Sequence, residues 1–252
     1  LPASNPPRPV SAEFRNVMRH RALQKQLHTS AVRDLRYRER IFAEYYGLTL
    51  DFVDQLILAP AEERARILQE RGLNRYLYRT FFEYNRYEDC HLILEALDNP
   101  EELRGARVLD FGCSVADHGY FFGMAGAEVT LCDFPEFLSF ASFRLSRAGI
   151  PYHAIPAPVD YRTLTQSIDL AVFGEVLEHL KDPLLMLQCC VEHRVSMIYT
   201  SRYPFGDETY FSLNGHTREA QAQSPASLAL LRAHYQEVSI NPRTPARLWM
   251  RL

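Results

Sequence analysis

The stretch Arg107-Val-Leu-Asp-Phe-Gly-Cys-Ser-Val-Ala-Asp-His-Gly-Tyr-Phe121 decides how this chain is read. Arg107 to Asp110 has the look of a short buried strand, since apolar residues run into an acid and then into Gly112, and helix-compatible residues resume near His118. A strand that ends in a glycine turn and opens a helix suits a nucleotide. The helix start offers unpaired N–H groups, and glycine lets the backbone approach a ligand where a Cβ would clash. The same turn also occurs in α/β proteins for packing alone, so the neighbouring stretches carry the decision.

About twenty residues on, Glu128-Val-Thr-Leu-Cys-Asp133 is a second strand ending in an acid, where a doubly wound fold places a carboxylate against ribose hydroxyls. A third strand, Ser167-Ile-Asp-Leu-Ala-Val-Phe173, leads into Gly174-Glu-Val-Leu-Glu-His-Leu-Lys-Asp-Pro183. From Leu103 onward strands and helices alternate. Strands are expected near 106–111, 127–133, 150–156, 168–174, 195–201, 236–241 and 246–251, the last two joined by a turn over Pro242 to Pro245. Helices are expected near 118–125, 135–148, 183–193 and 225–235, with Ser224 capping the last and Pro225 in its first turn.

Three motifs in this order, VLDFGC, VTLCDFPEF and DLAVFGEVLEHLKDP, resemble the class I S-adenosylmethionine-dependent methyltransferases over about Leu103 to Leu252. The resemblance implies an α/β fold with a Rossmann-like seven-stranded methyltransferase sheet, whose last strand inserts antiparallel. It implies S-adenosylmethionine as cofactor, with Asp110 near its amino group, Gly112 under its methionine portion, Asp133 on the ribose and Phe134 stacking on adenine. Asp160 would approach the adenine amino group, while His118 and Gly174 would lie beside the cofactor. Asp133 can alternatively cap the helix that Pro135 opens. The chain departs from the usual Asp-x-Gly-x-Gly-x-Gly run, with Ser114 and Ala116 at the second and third glycine places. Non-glycine residues there must avoid a strongly positive φ or cost on the order of 1 kcal/mol.

Glu175-x-x-Glu178-His179 forms a second constellation. On a helical turn these positions share a face, and two carboxylates with an imidazole suit Mg²⁺, Mn²⁺ or Zn²⁺. The EVLEH motif resembles the small-RNA 2′-O-methyltransferases, which hold a divalent ion with a further downstream His, here His216. It also resembles the ubiquinone-type O-methyltransferases, which need no metal there. Without a metal, Glu175 and His179 would line the acceptor pocket and Glu178 would be structural. Methyl transfer to oxygen or nitrogen needs a base titrating near neutrality, for which His179 is the first candidate and His216 the second.

Residues 1–10 are rich in proline and read as a flexible tail, and 11–102 as an all-helical cap before the cofactor-binding domain at 103–252. Helices are expected over Ser11 onward, Ala31 to Tyr46 closed by Gly47, Leu50 to Leu58 capped by Thr49, Pro60 to Arg71 closed by Gly72, and Leu73 to Leu97. The cap is rich in aromatics, which serve either as core or as acceptor wall; Tyr84 and Tyr87 are the substrate candidates. Residues 8–40 hold nine basic against three acidic residues, either a solvated helix face or a patch for phosphates.

The net charge of −3 gives no global case for nucleic acid, and no apolar run is long enough to cross a membrane. The five cysteines show no CxxC spacing, which points to a reducing, cytoplasmic compartment. The expectation is therefore a methyltransferase acting on a small-molecule acceptor. A metal-dependent RNA 2′-O-methyltransferase and a non-catalytic cofactor-binding protein are the alternatives. The acceptor and the oligomeric state are not encoded in any motif.

Overall fold

The structure is a computed structural model that describes residues 35–83, 90, 93, 103–201, 203, 216–240 and 246–252. Four helices precede the sheet among these residues: α1 (Leu35–Tyr46), α2 (Leu50–Leu58), α3 (Ala61–Glu70) and α4 (Arg75–Phe82). Their ends follow from local chemistry. Thr49 accepts from the Phe52 N–H at 3.3 Å and Asn74 from the Leu77 N–H at 3.0 Å, each satisfying a donor that a helix start leaves unpaired. Gly47 and Gly72 end α1 and α3 in the left-handed region.

Of the helix expected over Leu73 to Leu97, α4 is capped by Asn74 and ends at Phe82, with Glu83 in a turn; Cys90 and Ile93 are again helical, and the rest of the stretch lies outside the described residues. The last turn of α4 is aromatic and β-branched, which weakens helix propensity. The Phe81 carbonyl accepts from Arg38 Nη1.

Seven strands form one sheet: β1 (Arg107–Phe111), β2 (Glu128–Asp133), β3 (Tyr152–Pro156), β4 (Leu170–Gly174), β5 (Met197–Ser201), β6 (Tyr235–Ile240) and β7 (Arg247–Arg251), in the order β3-β2-β1-β4-β5-β7-β6. The first five pair in parallel, and β7 runs antiparallel to both β5 and β6. This is the Rossmann-like methyltransferase sheet, and the strand boundaries lie within two residues of those expected from the apolar runs. β4 is buried at every position, as a central parallel strand covered on both faces must be. The turn at 241–245 lies outside the described residues.

The crossovers are α5 (Asp117–Met124), α6 (Pro135–Arg147), the short α7 (Tyr161–Leu164), α8 (Pro183–Glu192) and α9 (Arg218–His234). α9 corrects the sequence reading: it is capped by Thr217, whose side chain accepts from the Ala220 N–H at 3.0 Å, and Pro225 sits inside it. Ser224 is not a cap but a buried packing residue, on one stripe with Ala220, Ser227 and Leu231. The first three members of that stripe are small, so a search for large apolar side chains passes over the first turns of the helix.

One hydrophobic cluster packs α5 and α6 on the sheet and another packs α8 and α9 on the opposite face. A third belongs to α1–α4, and it takes in Val115 and Phe140 from the α/β part. The strand order reverses between β1 and β4, so a crevice opens at the carboxyl ends of the central strands.

Candidate functional site

A cavity of about 240 Å³ occupies that crevice, with Gly112, Asp133, Phe134, Tyr161, Val176 and His179 among its walls. Gly112 is required twice over. Its φ is +68°, and a Cβ there would lie 2.5 Å from Val176 Cγ2, so the loops after β1 and β4 touch across this glycine.

Asp133 ends β2 with its carboxylate already anchored. Its Oδ2 accepts from the Ser114 N–H and its Oδ1 from the Phe134 N–H, each at 2.7 Å. The cap position of α6 belongs to Phe134, so Asp133 is not the helix cap that Pro135 suggested. Phe134 leaves 54% of its surface exposed on the cavity wall, an apolar face with room for a planar ring.

Ser114 and Ala116 do not escape the glycine conformation. Their φ angles are +49° and +55°, both left-handed, where an L-residue costs on the order of 1 kcal/mol. The loop therefore keeps the shape of a glycine-rich turn without its glycines.

Other expected cofactor residues lie back from the cavity. Asp110 is buried, its Oδ2 accepts from the Gly119 N–H at 2.8 Å, and His118 Nδ1 stands 3.9 Å from its Oδ1. Both hold the start of α5 against β1. Asp160 is exposed and caps α7 through the Arg162 N–H at 3.0 Å, leaving Ala157 to Val159 and Tyr161 to form that wall. Gly174 closes β4 opposite Ser201.

The EVLEH segment is the main correction at the site. The helical face expected for Glu175, Glu178 and His179 is broken, because Glu175 is left-handed at φ +57° and a single 3-10 turn begins only at Leu177. Glu175 instead donates its N–H to Ser201 Oγ at 3.1 Å. Glu178, His179 and His216 do come together, with candidate ligand atoms all within 4.8 Å of one another. Two bonds bring His216 there: the Thr217 N–H to the Glu178 carbonyl at 3.0 Å, and Thr217 Oγ1 to the Leu180 carbonyl at 2.9 Å. The imidazoles of His179 and His216 are 5.3 Å apart.

Tyr84 and Tyr87 lie outside the described residues. Most of the basic stretch 8–40 does too; in its described part Arg36 pairs with Asp54 and Glu39, Arg38 is buried, and Arg40 is exposed. Cys132 lines the cavity, yet burial and the neighbouring Asp133 and Asp110 carboxylates push its thiol up to about 12, so it is a neutral wall rather than a nucleophile.

The sequence reading missed Tyr161, Val176 and, behind the loop, Arg144. The last left a signal: an arginine in register with Phe140, Ala141 and Leu145 on the buried side of α6.

No family model matches the chain. A ubiquinone biosynthesis O-methyltransferase of Xanthomonas euvesicatoria is 32% identical over 107 residues, which are 38% of this chain and 42% of that protein. One from Aromatoleum aromaticum is 32% identical over 104 residues, 40% of this chain and 44% of its own. The chain thus spans less than half the length of these curated relatives. Among solved structures, the magnesium protoporphyrin IX methyltransferase of Synechocystis with bound S-adenosylhomocysteine is similar at 16% identity and a TM-score of 0.45, over 66% of this chain and 80% of that one. An rRNA methylase of Streptococcus thermophilus is similar at 17% identity and a TM-score of 0.45, over 64% and 96%.

Proposed function

We propose that this chain, a relative of the class I S-adenosylmethionine-dependent methyltransferases, transfers a methyl group to an oxygen or nitrogen of a small-molecule acceptor. The observation that carries this reading is the cavity at the strand-order reversal, with Asp133 and Phe134 on one side and His179 on the other. The residues fit S-adenosylmethionine. Asp133 would accept from the ribose hydroxyls, Phe134 would cover the adenine, and Gly112 leaves the backbone bare where the methionine portion would run. Bound there, the sulfonium supplies an electrophilic methyl group.

The rest is positioning and proton transfer by the chain's own groups. His179, exposed at the cavity wall, would take the acceptor's proton through a neutral imidazole nitrogen. Glu178, buried behind it, would steady the positive charge that develops on the ring. The apolar walls from Phe111, Val159 and Leu180 keep water from competing for the methyl group. The relatives' printed names make an oxygen acceptor the first choice. Five free, buried cysteines agree with a cytoplasmic setting, and no described helix is long and apolar enough to cross a membrane.

The grouping of Glu178, His179 and His216 supports a second element, a divalent ion held at the acceptor side. A carboxylate and two imidazoles suit Mn²⁺ or Zn²⁺ better than Mg²⁺, which prefers oxygen alone. Such an ion would lower the pKa of an acceptor hydroxyl and take over the role of the base. Glu175, expected among the ligands, is then an acceptor-side residue only.

Calorimetric titration with S-adenosylmethionine and S-adenosylhomocysteine, with and without chelator, tests both parts. Micromolar binding is expected for each ligand. No binding to either would remove the methyltransferase reading. Acceptor turnover that survives chelation and is unchanged by added Mn²⁺ or Zn²⁺ would remove the metal. Cofactor binding without turnover on any phenol, alcohol or amine panel would favour a non-catalytic binding protein.

A further inference from the structure

The loop Ser114–Ala116 holds two left-handed non-glycine residues, and something must keep it there. Its surroundings supply a clamp. Arg144 of α6 is fully buried, and its Nη1 donates to the Val115 carbonyl at 2.6 Å and to Asp117 Oδ1 at 2.7 Å. The guanidinium lies over the Tyr120 ring at 4.7 Å and the Phe81 ring at 5.0 Å. Arg38 of α1 reaches the same carboxylate, with Nη2 3.6 Å from Asp117 Oδ1, and its Nη1 donates to the Phe81 carbonyl. Burial opposes the Arg144 charge, and Asp117 with Tyr37 and Tyr120 together more than offset it, so the guanidinium stays protonated.

The gripped atom is the carbonyl between the two strained residues. Val115 points its side chain into the hydrophobic cluster of α1–α4, while its carbonyl is held by Arg144. The N–H of Ser114, whose direction depends on this local backbone, is the donor to Asp133 Oδ2. A continuous path of contacts thus runs from α1 and α4 through Asp117, Arg144 and the loop to the carboxylate in the cavity wall.

We propose that Arg144 and Arg38 are positioning residues for the cofactor: through Asp117 and the Val115 carbonyl they hold the glycine-less loop in the left-handed form that orients Asp133. Docking of the helical layer and cofactor affinity are then one coupled property, and the clamp does by buried charge what glycines do by conformational freedom. This rests on the cofactor reading given above.

The test is a cycle of variants of this chain titrated with S-adenosylhomocysteine, with melting temperatures taken in parallel. The variants are Arg144→Met, Ser114→Gly/Ala116→Gly, and their combination. Arg144→Met should weaken binding by roughly tenfold or more, the factor matching the cost of one left-handed non-glycine residue. The glycine pair should restore most of that affinity in the Arg144→Met background while changing the wild type little. A merely structural Arg144 would lower the melting temperature without moving affinity, or would lose affinity equally in both backgrounds, and either result overturns the proposal. Should Arg144→Met fail to fold, Arg38→Met in the same cycle decides, with a smaller loss and the same rescue expected. Wild type that binds nothing would instead sink the cofactor reading, whereas wild type and Arg144→Met binding alike would sink the clamp alone.

Discussion

Two strand-end loops face each other across the cavity, and both carry non-glycine residues in the left-handed region. The loop after β1 has Ser114 and Ala116 there, and the loop after β4 has Glu175. They are held by different means. The first is buried, gripped by Arg144 and keyed through Val115 into the hydrophobic cluster of the helical layer. The second is partly exposed, and among its ties is a hydrogen bond from the Glu175 N–H to Ser201 Oγ. On the proposed reading the clamped loop seats the cofactor, and the less enclosed loop faces the acceptor. The two loops touch where Val176 covers Gly112.

Several changes would break or sharpen this contrast. The largest effect is expected at the second loop's chemistry: His179→Ala should lower methyl transfer by about 10²–10⁴-fold, with S-adenosylhomocysteine affinity nearly unchanged in the same titration. An equal loss of affinity would place His179 in the cofactor seat instead.

Next in size is Gly112→Ala, where the left-handed φ and the clash with Val176 together should cost roughly 2–5 kcal/mol by denaturant unfolding. Adding Val176→Ala should recover the packing part and leave the conformational part. Full recovery would mean that φ at Gly112 carries no strain.

Smaller still is the response to removing strain. Ser114→Gly should stabilise the fold by about 1 kcal/mol, since relief of the left-handed cost exceeds the extra freedom gained by the unfolded chain. The Ser114 hydroxyl adds to this, being buried without a hydrogen-bond partner among the described residues. Glu175→Gly should stabilise similarly, yet it alone should alter turnover. If both leave turnover untouched, the second loop is not an acceptor wall.

The smallest effect concerns the opposite ends of the same two strands. Arg107 at the start of β1 grips Asp169 before β4 through Nε at 3.0 Å and Nη2 at 2.9 Å, and this hydrogen bonding holds the Asp169 carboxyl below its ordinary value. A depressed folded-state pKa contributes stability above the unfolded value of about 3.9, lost as pH falls through the lower folded one. Asp169→Asn should therefore cost a little at neutral pH, less in high salt, and nothing once the pH is well below that window. Melting curves against pH would show this; an undiminished cost in acid would point to the hydrogen-bond geometry rather than charge.

Much of the fold could be read along the chain because each strand is short and buried. β1, β2 and β4 are largely buried runs that end in Phe111, Asp133 and Gly174, and a run buried on both faces needs no distant partner to be recognised. Gly112, Asp133, Phe134 and His179 were legible for the same reason, since a residue just past a strand's carboxyl end falls at the crevice whatever the rest of the chain does. α9 was misjudged because Ala220, Ser224 and Ser227 form a stripe of small residues, and its proline drew attention to the wrong end.

What the sequence by itself determined was the succession of elements and the residues at their ends, because hydrophobic period and capping act within a turn or two of helix. Only the tertiary structure decided which distant residues meet. It set His216 beside His179 through two bonds from Thr217, moved Glu175 out of phase with Glu178, and joined Arg38, Asp117 and Arg144 across three helices. Those meetings depend on how whole helices pack. A charge at a core position, such as Arg144, marks that a partner must exist without saying where along the chain it lies.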